Sequence, residues 1–189
     1  MLEAVNLQKS FDGKNVIRQF SCRFEDGGHY CLMGPSGCGK TTLLNLLMGL
    51  QKPDAGEVRT SAGTKLSAVF QEDRLLKQMT AQANAALVSN APKEKINALL
   101  KELGIDEESL SQPVSTFSGG MKRRVALCRA LLAAFDVLFL DEPYKGLDEE
   151  TREKVMEIVS RHTRGKTVLL VTHDREEAEG YQMVQLGIG

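Results

Sequence analysis

Gly34-Pro35-Ser36-Gly37-Cys38-Gly39-Lys40-Thr41-Thr42 is the stretch from which the rest of the chain is read. It fits the pattern Gly, four residues, Gly, Lys, then Ser or Thr. The run before it, His29 to Met33, is short and apolar enough for a buried strand, and the Leu-rich run from Thr41 to Leu50 suits a helix. The glycines therefore fall at a strand-to-helix turn. Backbone N–H groups can wrap a phosphate there only where no Cβ intrudes and unusual φ values are open to the chain. The start of the helix adds the positive end of its dipole, aimed at the same anion. Lys40 then reaches the β and γ phosphates of a nucleotide, and the Thr41 hydroxyl is placed to ligate Mg²⁺.

Outward from this loop the pattern is α/β. Phe20, Cys22 and Phe24 alternate with Ser21, Arg23 and Glu25, a period of two that suits a half-buried strand. Asp12-Gly13 and Asp26-Gly27-Gly28 are turn signals on either side, and Pro53 to Gly56 makes another turn. Short strands are expected over Glu57 to Thr60 and Leu66 to Phe70. From Thr80 to Leu110 the period becomes helical: Ile96, Leu99, Leu100 and Leu103 form one stripe, bounded by Pro92 and Gly104. Ser118 is placed to cap a helix from Gly119 to Ala134, and Asp148 to cap another with Val155, Ile158 and Val159 on its core side. Val137 to Leu140 and Thr167 to Thr172 read as strands. Asp174-Arg175-Glu176-Glu177 has the spacing of a capping box for a last helix, and Met183 to Leu186 reads as a final strand. Apolar strands alternating with helices imply a mainly parallel sheet.

Composition sets bounds. The 189 residues suffice for one domain with a sizeable core and a small inserted part. The net charge of −1 leaves no basic field for nucleic acid, so no nucleic-acid partner is expected. The run Lys122-Arg123-Arg124 reads as a solvated helix face. Cys22, Cys31, Cys38 and Cys128 form no CxxC pair, which argues against a zinc site and for reduced thiols of a cytosolic protein. Met1 to Val5 opens straight into a strand-like run, so no leader segment is expected, and no apolar run approaches the ~18–20 residues that span a bilayer.

A phosphate loop of this kind needs a carboxylate on the metal side and a group to activate water, both at the C-terminal end of a buried strand. Asp141 and Glu142 supply them: Asp141 to hold Mg²⁺, directly or through water, and Glu142 as general base. Phe117-Ser118-Gly119-Gly120-Met121 then offers a second anion site of backbone amides at a helix start, with a hydroxyl added. One chain has no need of two such sites for one triphosphate. Two chains facing head to tail do.

With these residues in order, the chain resembles the nucleotide-binding domain of an ABC transporter over nearly its whole length. Gly34 to Thr42 resembles the Walker A loop, Gln71 the Q-loop glutamine, and Phe117 to Met121 the signature motif. Val137 to Glu142 resembles Walker B with the catalytic glutamate, Gly146-Leu147-Asp148 the D-loop, and His173 the switch histidine. Phe11 lies where the family places an aromatic that stacks on adenine; by itself a Phe ending a strand also fits the core or an edge. The resemblance implies an α/β P-loop NTPase fold. It would have a mainly parallel sheet, an antiparallel β region at the N-terminus and an inserted helical subdomain. Residues 1–79 and 135–189 would form the RecA-like core and residues 80–134 the helical subdomain.

The resemblance also implies roles. Gly34, Pro35, Ser36, Gly37, Cys38, Gly39, Lys40, Thr41 and Thr42 would bind ATP, with Thr41, Gln71 and Asp141 toward Mg²⁺. Glu142, His173 and Gln71 would serve hydrolysis. Ser118, Gly119 and Gly120 would reach the nucleotide held by a second copy, and Asp148 would link the two sites. Implied partners are a second copy of the chain, transmembrane permease subunits at the cytoplasmic face of the membrane and, in the full system, an extracytoplasmic solute-binding protein. Cys38 is expected to react with alkylating agents and to be protected by ATP. Met121 stands for the usual signature Gln and Lys145 for a small polar residue. The chain ends soon after the last motif, so a minimal domain is expected. The run Glu72 to Leu76 resembles importers of the nitrate, sulfonate and taurine type. Two further readings stay open: a non-transport ABC-type ATPase acting on a protein or nucleic-acid complex, and a nucleotide sensor without turnover.

Overall fold

The computed structural model describes residues 1–186. In chain order the elements are β1 (Leu2–Phe11), β2 (Lys14–Phe24), β3 (His29–Met33), α1 (Lys40–Leu47), β4 (Ala55–Thr60), β5 (Leu66–Val69), α2 (Ala81–Ala86) and α3 (Lys93–Glu102). There follow α4 (Gly119–Leu132), β6 (Val137–Asp141), α5 (Glu149–His162), β7 (Thr167–Val171) and β8 (Gln182–Gln185). They fall into two compact units. The first holds Met1–Leu66, Asp136–Asp141 and the chain from Gly165; the second holds Ser67–Phe135 and Glu142–Arg164. The helix α5 thus groups with the helical segment, whereas the expected division put it with the core.

In the first unit, β1 and β2 pair antiparallel around Asp12-Gly13, both with positive φ (47° and 76°). That turn matches the right-handed twist of the strands it joins. β4 adds on the other side of β1, giving the order β2-β1-β4. The expected alternation holds: Phe20, Cys22 and Phe24 turn inward while Ser21 and Arg23 face out, and Phe24 meets Tyr30 edge-on at 5.0 Å. The parallel strands of this unit run β6-β7-β3-β8. β6 and β7 are buried along their whole length, which is why they read as continuous apolar runs and not as alternations.

Two expectations fail here. The helix expected over Thr41 to Leu50 ends at Leu47, because Gly49 adopts a left-handed φ of 71° and the Leu50 and Gln51 amides turn back to Asn45 O. The helix expected after Asp174 is absent among the described residues: Arg175 to Tyr181 form a series of turns. The capping-box spacing misleads because the Asp174 amide, which Glu177 would have to reach, donates to Thr172 Oγ1 at 3.1 Å. Glu177 is buried and accepts a short hydrogen bond from the Thr172 hydroxyl, while Asp174 accepts from the Glu176 amide at 2.9 Å.

In the second unit the helical stretch expected from Thr80 to Leu110 is broken. α2 stops at Ala86, and α3 starts only after Pro92, which disfavours helical geometry in the residue before it. The stripe is as expected: Ile96, Leu99, Leu100 and Leu103 are buried. α3 ends in a Schellman pattern around Gly104 (φ 79°), with Ile105 N–H to Leu100 O at 2.9 Å and Gly104 N–H to Lys101 O at 2.8 Å. α4 buries Val125, Leu127 and Cys128 completely. Burial of one such aliphatic side chain is worth about 1.5–3 kcal/mol.

Candidate nucleotide site

The cradle rises from the end of β3. Gly37 and Gly39 take left-handed φ values of 77° and 101°. Gly39 is required twice over, since a Cβ there would lie 2.8 Å from Val16 Cγ1 and 2.9 Å from Ile17 Cδ1. At Gly34 a Cβ would stand 2.5 Å from Cys38 Sγ. Cys38 N–H donates to Pro35 O at 3.2 Å, closing the turn, and Pro35, Ser36 and Gly37 form its exposed tip. Lys40 opens α1 with its side chain largely buried. Its ammonium donates to Gly34 O at 2.7 Å and Pro35 O at 3.0 Å, so the charge sits inside the loop it belongs to. Thr42 follows, half-buried.

Asp141 ends β6 and is 4% exposed; its Oδ2 accepts from Thr41 Oγ1 at 2.9 Å. Register brings the third strand to the same place. Val171 of β7 lies opposite both Leu32 of β3 and Asp141 of β6. Three neighbouring parallel strands thus end together, and Gly34, Asp141 and His173 all leave from that edge, where open α/β sheets hold ligands. Thr172 anchors the segment that carries His173, through its bonds to Glu177 and from the Asp174 amide at 3.1 Å.

These residues fit a magnesium ion. A hydroxyl and a carboxylate converge, and Mg²⁺ is held by one or two such groups together with phosphate oxygens and water. No three His, Cys, Asp or Glu side chains among the described residues could hold a metal by themselves. The pair therefore suits an ion whose remaining ligands come with a nucleotide.

Phe11 ends β1 opposite Lys14 and is 42% exposed, with Lys9 Nζ 5.5 Å from its ring centroid. It is not core. The same hairpin supplies Val16 and Ile17, which abut Gly39.

The other site residues belong to the second unit. Ser118 caps α4, its Oγ accepting from Met121 N–H at 3.2 Å, and the amides of Gly119 and Gly120 form the open first turn. Asp148 caps α5 through Thr151 N–H at 2.9 Å and Thr151 Oγ1 at 2.8 Å. Those bonds hold its carboxyl below the usual carboxylate range. Ser118, Gly119, Gly120 and Asp148 line one open cleft of about 440 Å³ with Lys145 and Gly146. Gln71 is exposed, and its carbonyl accepts from Arg123 at 2.6 Å. Glu142 follows Asp141 with a positive φ of 52°, an uncommon conformation for a side-chain-bearing residue and of the kind found at functional positions.

A family model described as ABC transporter matches residues 17–145, from the N-terminal hairpin through the turn after β6. The chain belongs to the ABC transporter family. It is 39% identical over 183 residues to the aliphatic sulfonates import ATP-binding protein SsuB 1 of Rhodococcus jostii, covering 94% of this chain and 74% of that protein. It is 33% identical over 195 residues to the spermidine/putrescine import ATP-binding protein PotA of Fusobacterium nucleatum, of which it spans 52%. Among solved structures, the dimeric post-hydrolysis state of the ATP-binding cassette MJ0796 bound to ADP and Pi aligns with a TM-score of 0.88 at 27% identity, over 98% of this chain and 94% of that one.

One group in this ABC-family chain corrects the sequence reading. Lys122 to Arg124 is not a solvated face: Arg123 is buried, and Arg124 donates to Leu103 O at 2.9 Å and Gly104 O at 2.7 Å. Nothing in sequence spacing announces these carbonyl targets, nor the buried Asn84 and Glu177.

Proposed function

We propose that this chain is the ATP-binding, ATP-hydrolysing subunit of an importer, and that it works as two copies closing on two ATP molecules. The observation that carries the reading is the Thr41–Asp141 contact of 2.9 Å at the mouth of a cradle already lined by Lys40. It sets a metal-side carboxylate against a phosphate loop.

In this reading the amides from Gly37 to Lys40, with Thr42, hold the α and β phosphates, and Lys40 the β and γ. Pro35, Ser36 and Cys38 shape the tip. Phe11 offers its exposed ring to adenine. Thr41 and Asp141 would hold Mg²⁺, with Gln71 joining on closure; when bound, the ion neutralises charge between the phosphates. Glu142 takes a proton from the attacking water. His173 binds the γ-phosphate and orients Glu142. Ser118, Gly119 and Gly120 of the second copy present a helix N-terminus to the same γ-phosphate. Asp148 links the two sites. Loss of the γ-phosphate removes the charge that joins the copies, and they part.

Closure reaches the membrane through the loop of Gln71, where permease subunits dock at the cytoplasmic face. An extracytoplasmic solute-binding protein completes the system. The sulfonate-import relative supports import of a sulfonate-like anion, while the polyamine-import relative is 33% identical over 195 residues.

The direct test is ATP turnover by the full chain against K40A. The reading expects Mg²⁺-dependent phosphate release that the variant lowers by about 10²-fold or more. Equal rates in both proteins would overturn it.

A further inference from the structure

Arg123 sits one and a half turns into α4 and is 6% exposed. Its guanidinium donates through Nη1 to Phe70 O and through Nη2 to Gln71 O, both at 2.6 Å, and its Nε lies 3.3 Å from Asp73 Oδ1. Six residues on, Arg129 donates to Arg74 O at 2.8 Å and Asp73 O at 3.0 Å. Arg74, at a positive φ of 48°, stacks its own guanidinium 3.7 Å over the Phe70 ring. All of these residues lie in one compact unit. Four carbonyls of one loop are thus gripped by two arginines of one helix. The planar fork of Arg matches two neighbouring carbonyls, and a guanidinium buried this deeply needs both of them.

We infer that Arg123 is a positioning residue: by binding the carbonyls of Phe70 and Gln71 it makes the Gln71 loop and the Ser118 end of α4 take their places as one body. The effect on the loop follows from these bonds alone. The consequence for turnover rests on the ATPase reading above. A lysine at this position keeps the charge but cannot bridge two carbonyls, and it restores the loop only in part. Asp73 pairs with the guanidinium without touching the carbonyls, so its neutralisation leaves the grip in place.

The test compares the full-length wild type with R123M, R123K and D73N by hydrogen exchange and by ATP kinetics. R123M loses two charge-assisted bonds, so the amides of residues 71–76 exchange at least about tenfold faster while those of 149–162 keep their rate. The kcat falls, and KM for ATP stays within about twofold, as expected for a residue that does not touch bound nucleotide. R123K lies between, and D73N stays near wild type. Should R123M fail to fold, the same comparison is made on R123K. Unchanged exchange at 71–76, an equal rise at 149–162, or a D73N profile matching that of R123M would overturn the inference. A wild type that binds ATP without hydrolysing it would overturn the ATPase reading, and the exchange data would still decide the role of Arg123.

Discussion

Thr41 Oγ1 donates to Asp141 Oδ2 at 2.9 Å across 100 residues of chain. The contact joins the first turn of α1 to the end of β6 and defines where a magnesium ion would meet a triphosphate. D141N keeps the shape and removes the charge. Its expected result is loss of turnover by about 10²–10³-fold with ATP binding in EDTA unchanged, checked by phosphate release and equilibrium binding. Parallel losses of both would show that Asp141 only supports the cradle.

Cys38 belongs to the phosphate loop and is half-buried, its Sγ 2.5 Å from where a Cβ on Gly34 would stand. An alkyl group on that sulfur would enlarge the loop proposed to hold the phosphates. Burial pushes the other thiols up, Cys31 to about 11 and Cys128 to about 12, with Cys22 shifted in the same direction. Thiolates are the reactive form, so these three thiols label slowly near neutral pH. The expected outcome is that N-ethylmaleimide blocks ATP binding and that Mg·ATP slows the labelling, followed by intact mass. Equal labelling with and without ATP would contradict this placement.

Asn84 is fully buried, and its amide serves a neighbouring loop. Oδ1 accepts from Leu76 N–H at 2.8 Å, and Nδ2 donates to Leu76 O at 3.1 Å and Thr80 O at 3.0 Å. N84A removes the partner of the Leu76 N–H, while Leu76 O and Thr80 O still accept from the Met79 and residue-84 amides, and it empties a fully buried polar position; the loss is about 1–3 kcal/mol. Urea unfolding should show that loss with little change in slope. A stability equal to wild type would mean that water replaces the side chain.

The Asp148 cap carries a pH signature. Hydrogen bonds from the Thr151 amide and hydroxyl, followed by the Arg124 charge, hold its carboxyl below the ordinary value. A carboxyl lowered in the folded state stabilises it above the unfolded pKa, about 3.9, and that contribution fades as pH falls through the folded value. The stability gap between wild type and D148A should therefore be full at neutral pH and close as the solution is acidified below about pH 4. A gap that stays constant to low pH would mean that the cap acts through shape alone.

Local chemistry was the legible part of this chain. The glycines of the cradle, the Ser118 and Asp148 caps and the apolar runs of the buried strands β6 and β7 each depend on residues a few positions apart, and all were readable. What escaped depends on distant partners. Arg123 and Arg124 look like surface charge until the carbonyls of Phe70, Gln71, Leu103 and Gly104 are brought to them. Asp174 to Glu177 has the spacing of a capping box, yet Thr172 draws Glu177 away and the turn never becomes a helix. Gly49 shortened α1 for a simpler reason: its left-handed φ ends the helix inside an apolar run that shows no break in period.

In the proposed cycle two copies close on ATP, each adding its Ser118 helix end to the other's cradle. E142Q removes the proposed base and leaves the phosphate contacts intact. Sizing chromatography of the full-length E142Q chain with saturating Mg·ATP reads this closure. A dimer that dissolves when ATP is withdrawn, or when S118R is added, is the predicted result. A strict monomer with ATP demonstrably bound would contradict it.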